Sequence, residues 1–178
     1  MAEKMLSDDI RGQVVEILAS MQQPVEVVFF GTQDPTCEYC ADTERLLKEI
    51  AELSDDISLQ SYDLEADAEL AQQYGIDKAP GFSIMARDED QITDYGIRYA
   101  GIPAGHEFTS LINDLLIVSQ RKSGLSDETR QALTELDQPV HLQVFVTPTC
   151  PYCPRSVVLA HQFAFESDMI VAEMVEAM

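Results

Sequence analysis

The feature that most constrains this chain is that it repeats itself. Gln23-Pro24-Val25 opens a short apolar run over residues 25–30, and Pro35-Thr36-Cys37-Glu38-Tyr39-Cys40 follows it. Further on, Gln138-Pro139-Val140 opens a run over 140–146, followed by Pro148-Thr149-Cys150-Pro151-Tyr152-Cys153. The first copy is two residues longer in the loop before its first cysteine. A Ser-Asp pair of the kind that caps a helix start, Ser7-Asp8 and Ser126-Asp127, precedes each copy. Two copies of one supersecondary unit account for all of this.

Local patterning follows the first copy to its end. Residues 7–20 form an amphipathic helix, and residues 25–30 are apolar and β-rich, as in a strand buried mid-sheet. From 37 to 53 the period is helical, with Leu46, Leu47, Ile50 and Leu53 on one face. Residues 57–64 read as a strand and 66–74 as a short helix closed by Gly75. Ala79-Pro80 then opens a strand over 81–86, a hairpin loop leads to a strand over 96–102, and a helix covers 105–120. The second copy supplies a helix over 127–137, a strand over 140–146, a helix over 150–165 and a strand over 170–175. The fold class is α/β: two tandem units of β-α-β-α-β-β-α type, each a three-layer α/β/α arrangement on a mixed sheet. The expected organisation is a first unit over 1–121, a linker over 122–126 and a second unit over 127–178. Matching Leu64-Glu65-Ala66 to Val175-Glu176-Ala177 makes the second unit incomplete, lacking its C-terminal strands and helix, about 50–55 residues by the repeat argument.

The four cysteines fall as two pairs, Cys37/Cys40 and Cys150/Cys153. A pair at a strand-to-helix junction suits thiol–disulfide exchange, which needs one thiolate to attack and a second thiol to release the mixed disulfide. A free thiol near pKa 8.5 is only roughly 3% ionised at neutral pH. Unpaired N–H groups and the positive end of a helix dipole favour the anion. Cys37 and Cys150 are the expected nucleophiles, Cys40 and Cys153 the resolving thiols. Glu38, Asp34 and Asp42 crowd the first pair with negative charge. The second has neutral Pro151-Tyr152 and Arg155 one turn on, so Cys150 is expected to ionise more readily. Pro80 is an expected cis-proline that would present Ala79 to an extended peptide, with Tyr39 and Tyr152 shaping the docking surface; the plainer reading is a trans proline opening a strand.

Composition narrows the partners. There are 32 Asp and Glu against 11 Lys and Arg, a net charge of −21, which argues against nucleic acid and anionic membrane. Such a charge is better tolerated in concentrated salt, although an acidic solvated face with no specific meaning explains it equally well. No run is apolar enough to span a membrane and no signal pattern opens the chain, so the expected location is cytoplasmic. His161 and His106 read as helix-face and helix-start residues rather than catalytic bases. Asp63 reads either as a buried carboxylate near the first pair or, more simply, as a solvated strand end.

Two stretches, Thr147-Pro148-Thr149-Cys150-Pro151-Tyr152-Cys153-Pro154 and Gly96-Ile97-Arg98-Tyr99-Ala100-Gly101-Ile102-Pro103-Ala104-Gly105-His106-Glu107-Phe108, together with Glu173-Met174-Val175-Glu176-Ala177, carry a family resemblance. The chain resembles the tandem thioredoxin-fold protein disulfide oxidoreductases, or glutaredoxin-like proteins, of archaea and some bacteria. The resemblance implies two packed thioredoxin folds with redox-active pairs, a cis-proline at Pro80, and no bound cofactor. It also implies electrons delivered from NADPH by a flavoprotein of thioredoxin-reductase type to protein disulfide substrates. The family's second cis-proline segment would lie beyond Met178. The competing readings are a four-cysteine zinc or iron–sulfur module, a non-catalytic interaction domain on the same fold, and the dithiol relay domain of a flavin peroxide reductase. Zinc ribbons separate their pairs by roughly 15–20 residues, far less than the spacing here.

Overall fold

A computed structural model describes residues 4–89 and 91–177. In chain order the elements are α1 (Asp8–Leu18), β1 (Val25–Gly31), α2 (Cys40–Ala51), β2 (Ile57–Asp63), α3 (Ala68–Gln73), β3 (Gly81–Asp88), β4 (Gln91–Thr93) and β5 (Ile97–Ala100). A 3₁₀ turn at Gly105–Glu107 then leads into α4 (Phe108–Gln120), α5 (Asp127–Leu133), β6 (Val140–Val146), α6 (Cys153–Glu166) and β7 (Ile170–Glu176). Local chemistry explains several boundaries. Ser7 and Ser126 accept hydrogen bonds from the backbone N–H groups of Ile10 and Thr129 at the starts of α1 and α5. Both helices carry acids in their first turn, which the dipole favours. The hairpin after β3 contains one more short strand, β4, than the sequence pattern shows.

The strands form a single sheet in the order β2-β1-β3-β5-β7-β6, with β4 paired to β3. β3 runs antiparallel to β1 and β5, while β1–β2, β5–β7 and β6–β7 are parallel pairs. The two repeats therefore share one sheet, joined where β5 meets β7. Gly96 makes this possible: its φ is +77°, and a Cβ there would stand 2.6 Å from the Ile170 carbonyl oxygen. Its own carbonyl accepts the Ala172 N–H at 2.9 Å.

One face of the sheet holds the main core, in which Phe29, Phe82, Ile84, Tyr99 and Met174 meet Leu46, Leu47 and Ile50 of α2, Leu111 and Leu115 of α4 and Val157 of α6. The other face is covered by α3, which sits over Val28, Phe30 and Met85. Over the second repeat this face is open, and Phe145, the counterpart of Phe30, is 63% exposed. Strand pairing also corrects the expected equivalence at the end of the repeat. Phe30 pairs with Tyr62 and Phe145 with Val175, so Val175 corresponds to Tyr62 and Glu176 to Asp63. A tripeptide of one apolar, one acidic and one small residue carries too little information to fix a register that hydrogen-bonded neighbours decide.

Buried polar contacts pin the two repeats together. His161 of α6 faces Asp114 Oδ2 of α4 through Nδ1 at 2.6 Å and the Arg98 carbonyl oxygen through Nε2 at 3.2 Å. The Tyr99 hydroxyl donates to the same Asp114 oxygen. Burial and the neighbouring Asp114 carboxylate push the Tyr99 phenol well above its ordinary range. Glu107 is buried beside them, accepts from the Ser110 hydroxyl at 2.6 Å, and leaves its Oε1 without a partner. On the other face Lys78 donates to Glu173 at 3.1 Å. Ser123, in the segment 122–126, is buried, donates to Glu166 and accepts from Gln162 at 2.6 Å through its carbonyl. Among the described residues no helix is long and apolar enough to cross a membrane.

Two stability outcomes follow. Asp114→Ala strands a buried His161 and Tyr99 hydroxyl. It should lower the unfolding free energy by about 3 kcal/mol; a urea midpoint within experimental error of the parent would contradict this packing. Burial holds the Glu107 carboxyl above its ordinary value of 4.5. Its contribution is then complete below that pH and is lost as pH rises through the folded-state value. Glu107→Gln, which has no proton to lose, should gain stability relative to the parent between acid and neutral pH. Parallel stability profiles would refute the assignment.

Candidate active site

Each cysteine pair lies where a strand hands over to a helix, β1 being buried along its length and β6 a half-exposed strand at the sheet edge. β1 leads to Cys37 and α2, and β6 leads to Cys150 and α6. The loop before Cys37 is built by Asp34, whose side chain accepts the Thr36 N–H at 2.8 Å and whose carbonyl accepts the Cys37 N–H at 3.0 Å. The Thr36 backbone N–H holds the Asp34 carboxyl below its usual range. At the second site the Thr147 carbonyl accepts the Cys150 N–H at 3.0 Å.

Both pairs are disulfides with Cα atoms 5.6 Å apart. The regular helices begin at Cys40 and Cys153, so the expected nucleophiles sit in the turn ahead of the helix rather than within its first turn. Unlike α1 and α5, neither α2 nor α6 has a side chain capping its start. The first-turn N–H groups, together with the helix dipole, are left to act on the sulfur atoms. Pro154 takes an early helical position, where no internal hydrogen bond is forfeited. Cys37 is half-buried and Cys40 is 7% exposed, an asymmetry that suits an attacking and a resolving thiol. Cys150 and Cys153 are both half-buried.

The remaining expected residues divide. The Ala79–Pro80 peptide bond is cis, and Pro80 is buried at the head of β3. Its carbonyl accepts the Gly101 N–H at 2.8 Å. Because Gly81 pairs with Phe30, Pro80 stands at the end of the sheet from which β1 runs on to Cys37. Tyr39 is packed against the main core, whereas Tyr152 is 77% exposed, so the two tyrosines present different surfaces. Asp63 lies half-buried at the end of β2 and accepts the N–H groups of Glu65 and Ala66, which hold its carboxyl below the ordinary range. It lines a cleft of 340 Å³ together with Cys40, Glu44 and Asp67. Sequence reasoning does not single out Glu44, although it stands one helical turn after Cys40. His106 donates its backbone N–H to the Pro148 carbonyl at 3.2 Å, tying the turn before α4 to the loop before Cys150.

Both pairs emerge at the same end of one sheet, because β1 and β6 run in the same direction. Four inter-strand steps separate them, about 19 Å at the usual strand spacing. Four thiolates so placed cannot converge on one metal centre. Among the described residues no group of three or more ligating side chains comes together. With Asp34, Glu38 and Asp42 near one pair and Arg155 near the other, Cys150 is expected to ionise at lower pH than Cys37 when each is titrated by thiolate absorbance in a single-site variant. The reverse order would show that helix-start geometry outweighs local charge.

No protein-family model matches the chain. It is similar to a protein disulfide oxidoreductase from Aeropyrum pernix, with 34% identity and a TM-score of 0.87, covering 99% of this chain and 76% of that one. It is also similar to the N-terminal domain of the alkyl hydroperoxide reductase AhpF from Enterococcus faecalis, with 25% identity and a TM-score of 0.84 over 96% of this chain and 79% of that one. Among curated sequences, the F component of alkyl hydroperoxide reductase from Staphylococcus epidermidis is 33% identical over 154 residues, 86% of this chain. That match covers 26% of the relative, so the chain spans about a quarter of the length of the curated relatives it matches.

Proposed function

This chain belongs to the thioredoxin-fold protein disulfide oxidoreductases, and from that premise we propose that it exchanges electrons with protein disulfides through both Cys-x-x-Cys pairs. The observation that carries this reading is the placing of two disulfides at uncapped helix starts on the same end of one sheet. In the reducing direction the Cys37 or Cys150 thiolate attacks a substrate sulfur and forms a mixed disulfide, and the first substrate thiolate leaves. Cys40 or Cys153 then attacks its neighbour, the second substrate thiolate leaves, and the internal disulfide closes. Ala79 and Pro80 border the first site and present backbone to an extended substrate, with Tyr39 and Tyr152 at the sites' surfaces. The unit over 1–121 and the unit over 127–178, joined by 122–126, would each contribute one pair.

Electrons would come from NADPH through a flavoprotein disulfide reductase, in a cytoplasmic setting where dithiols are kept reducible. A second, neighbouring reading, a dithiol relay domain of a flavin peroxide reductase, fits the names of the curated relatives. Reduction of insulin disulfides tests the main proposal. The parent chain should be active, Cys37→Ser and Cys150→Ser should each retain part of the rate, and the double variant should fall at least about 100-fold. An inactive parent, or a double variant as active as the parent, would refute it. Turnover of a peroxiredoxin disulfide but not of insulin would move the assignment to the second reading.

A further inference from the structure

The cleft beside Cys40 bears on how long a substrate stays attached. Cys40 and Glu44 stand four positions apart on α2, so their Cβ atoms are roughly 6 Å apart on one face of the helix. Both line the cleft, whose far wall carries Asp63 and Asp67. Cys40 is itself nearly covered. Burial and nearby negative charge both oppose loss of a thiol proton.

The carboxylates are charged when it matters. Lys48 bonds Glu44 Oε1 at 2.7 Å, and that contact, with a lesser one from Ser61, holds the Glu44 carboxyl below its usual range. Two backbone N–H groups do the same for Asp63. Lys48 is a further turn along the helix and 56% exposed, so solvent screens its charge at Cys40 more than it screens that of Glu44. Asp34, Glu38 and Asp42 add negative charge in the surrounding loop and first turn, and Arg45 is already bonded to Asp42 at 2.8 Å. The second site keeps an acid at the position of Asp63 but not at that of Glu44. The place of Glu44 is taken by Val157, which is fully buried, and the counterpart of Asp63, Glu176, accepts the Ile102 N–H at 3.0 Å.

We propose that Glu44 keeps the Cys40 thiol protonated at neutral pH and so sets the lifetime of the mixed disulfide at the first site. This rests on the exchange chemistry proposed above. The step it controls is balanced. Cys40 gives its proton to water in the cleft, and the resulting thiolate attacks Cys37 Sγ. The bond from Cys37 to the substrate sulfur breaks, and the substrate leaves as a thiolate with the electron pair. With few Cys40 thiolates present, closure is slow and a bound substrate has time to rearrange. Cys153, with Val157 rather than a carboxylate four positions on along α6, closes sooner. Glu44 is a positioning residue in this account: it touches no substrate and acts through the charge it places beside Cys40.

The test uses the full chain with Cys150→Ser and Cys153→Ser in two measurements. The first follows alkylation of Cys40 by iodoacetamide against pH, with Cys37→Ser added. The second follows release of glutathione from its mixed disulfide with Cys37. Glu44→Gln should speed both by about threefold at pH 7.5, with the same alkylation plateau at high pH. Lys48→Gln, which removes the cation and keeps the carboxylate, should slow both. A purely structural role of the Glu44–Lys48 pair would shift the two variants in the same direction, and that result overturns the proposal. So do superimposable alkylation profiles, or a shifted profile with unchanged release. Asp63→Asn, which keeps the turn's acceptor oxygen, should act like Glu44→Gln and serves if that variant folds poorly. Neither measurement involves a protein substrate, so failure to reduce protein disulfides would refute the functional reading while leaving this one to stand or fall separately.

Discussion

The pairing of β5 with β7 is the contact on which the rest of the molecule depends. It sets Ile97, Arg98, Tyr99 and Ala100 against Ala172, Glu173, Met174 and Val175. A slip of one residue would turn Met174 out of the core and bring Glu173 in, which neither face could accommodate. The register is reinforced from both sides. On one face His161 spans Asp114 and the Arg98 carbonyl, and each of its ring nitrogens meets an oxygen. On the other face Glu173 gathers Lys78 and Gln143. Buried polar contacts of this kind contribute less to net stability than to choosing one arrangement among several apolar ones.

Function follows from that choice. A parallel join makes β1 and β6 point the same way, so α2 and α6 begin at the same end of the sheet and both disulfides face one side of the molecule. The same join fixes their separation. Pairs carried by strands about 19 Å apart cannot exchange directly when exchange needs bonding contact. Any electron exchange between the pairs would need a substrate or partner that visits each in turn. Lys78, directly before Ala79 and Pro80, is bonded to Glu173 of the second repeat, so the segment bordering the first site is braced by the unit that carries the second.

What can be read from the sequence is what repeats or has a local cause. The Cys-x-x-Cys pairs, the strands leading into them, the Ser-capped helices and the proline heading β3 all show in short windows. Long-range choices do not show. Nothing near Gly96 or Ile170 says that these two edges will meet, and Asp114 and Tyr99 look like ordinary members of a helix and a strand until His161 arrives from the other repeat. The equivalence at the end of the repeat comes out two positions away from the one expected, because side-chain identity there is weak and backbone pairing is decisive. Glu44 carries a usable signal, its spacing of four from Cys40, but a carboxylate on an acidic helix means little until β2 and the loop after it close the cleft. Phe145 matches Phe30 in sequence and differs in burial because α3 covers only the first repeat.

Two separate dithiols on one shared sheet should each work as a complete two-electron couple. Equilibrating the chain across a series of glutathione redox buffers, trapping free thiols by alkylation and weighing the peptides around each pair tests this directly. Cys37/Cys40 and Cys150/Cys153 are each expected to pass from dithiol to internal disulfide in one two-electron transition, with the glutathione adduct only a minor species. A pair that stays oxidised throughout, or one that stops at the glutathione adduct, would contradict it.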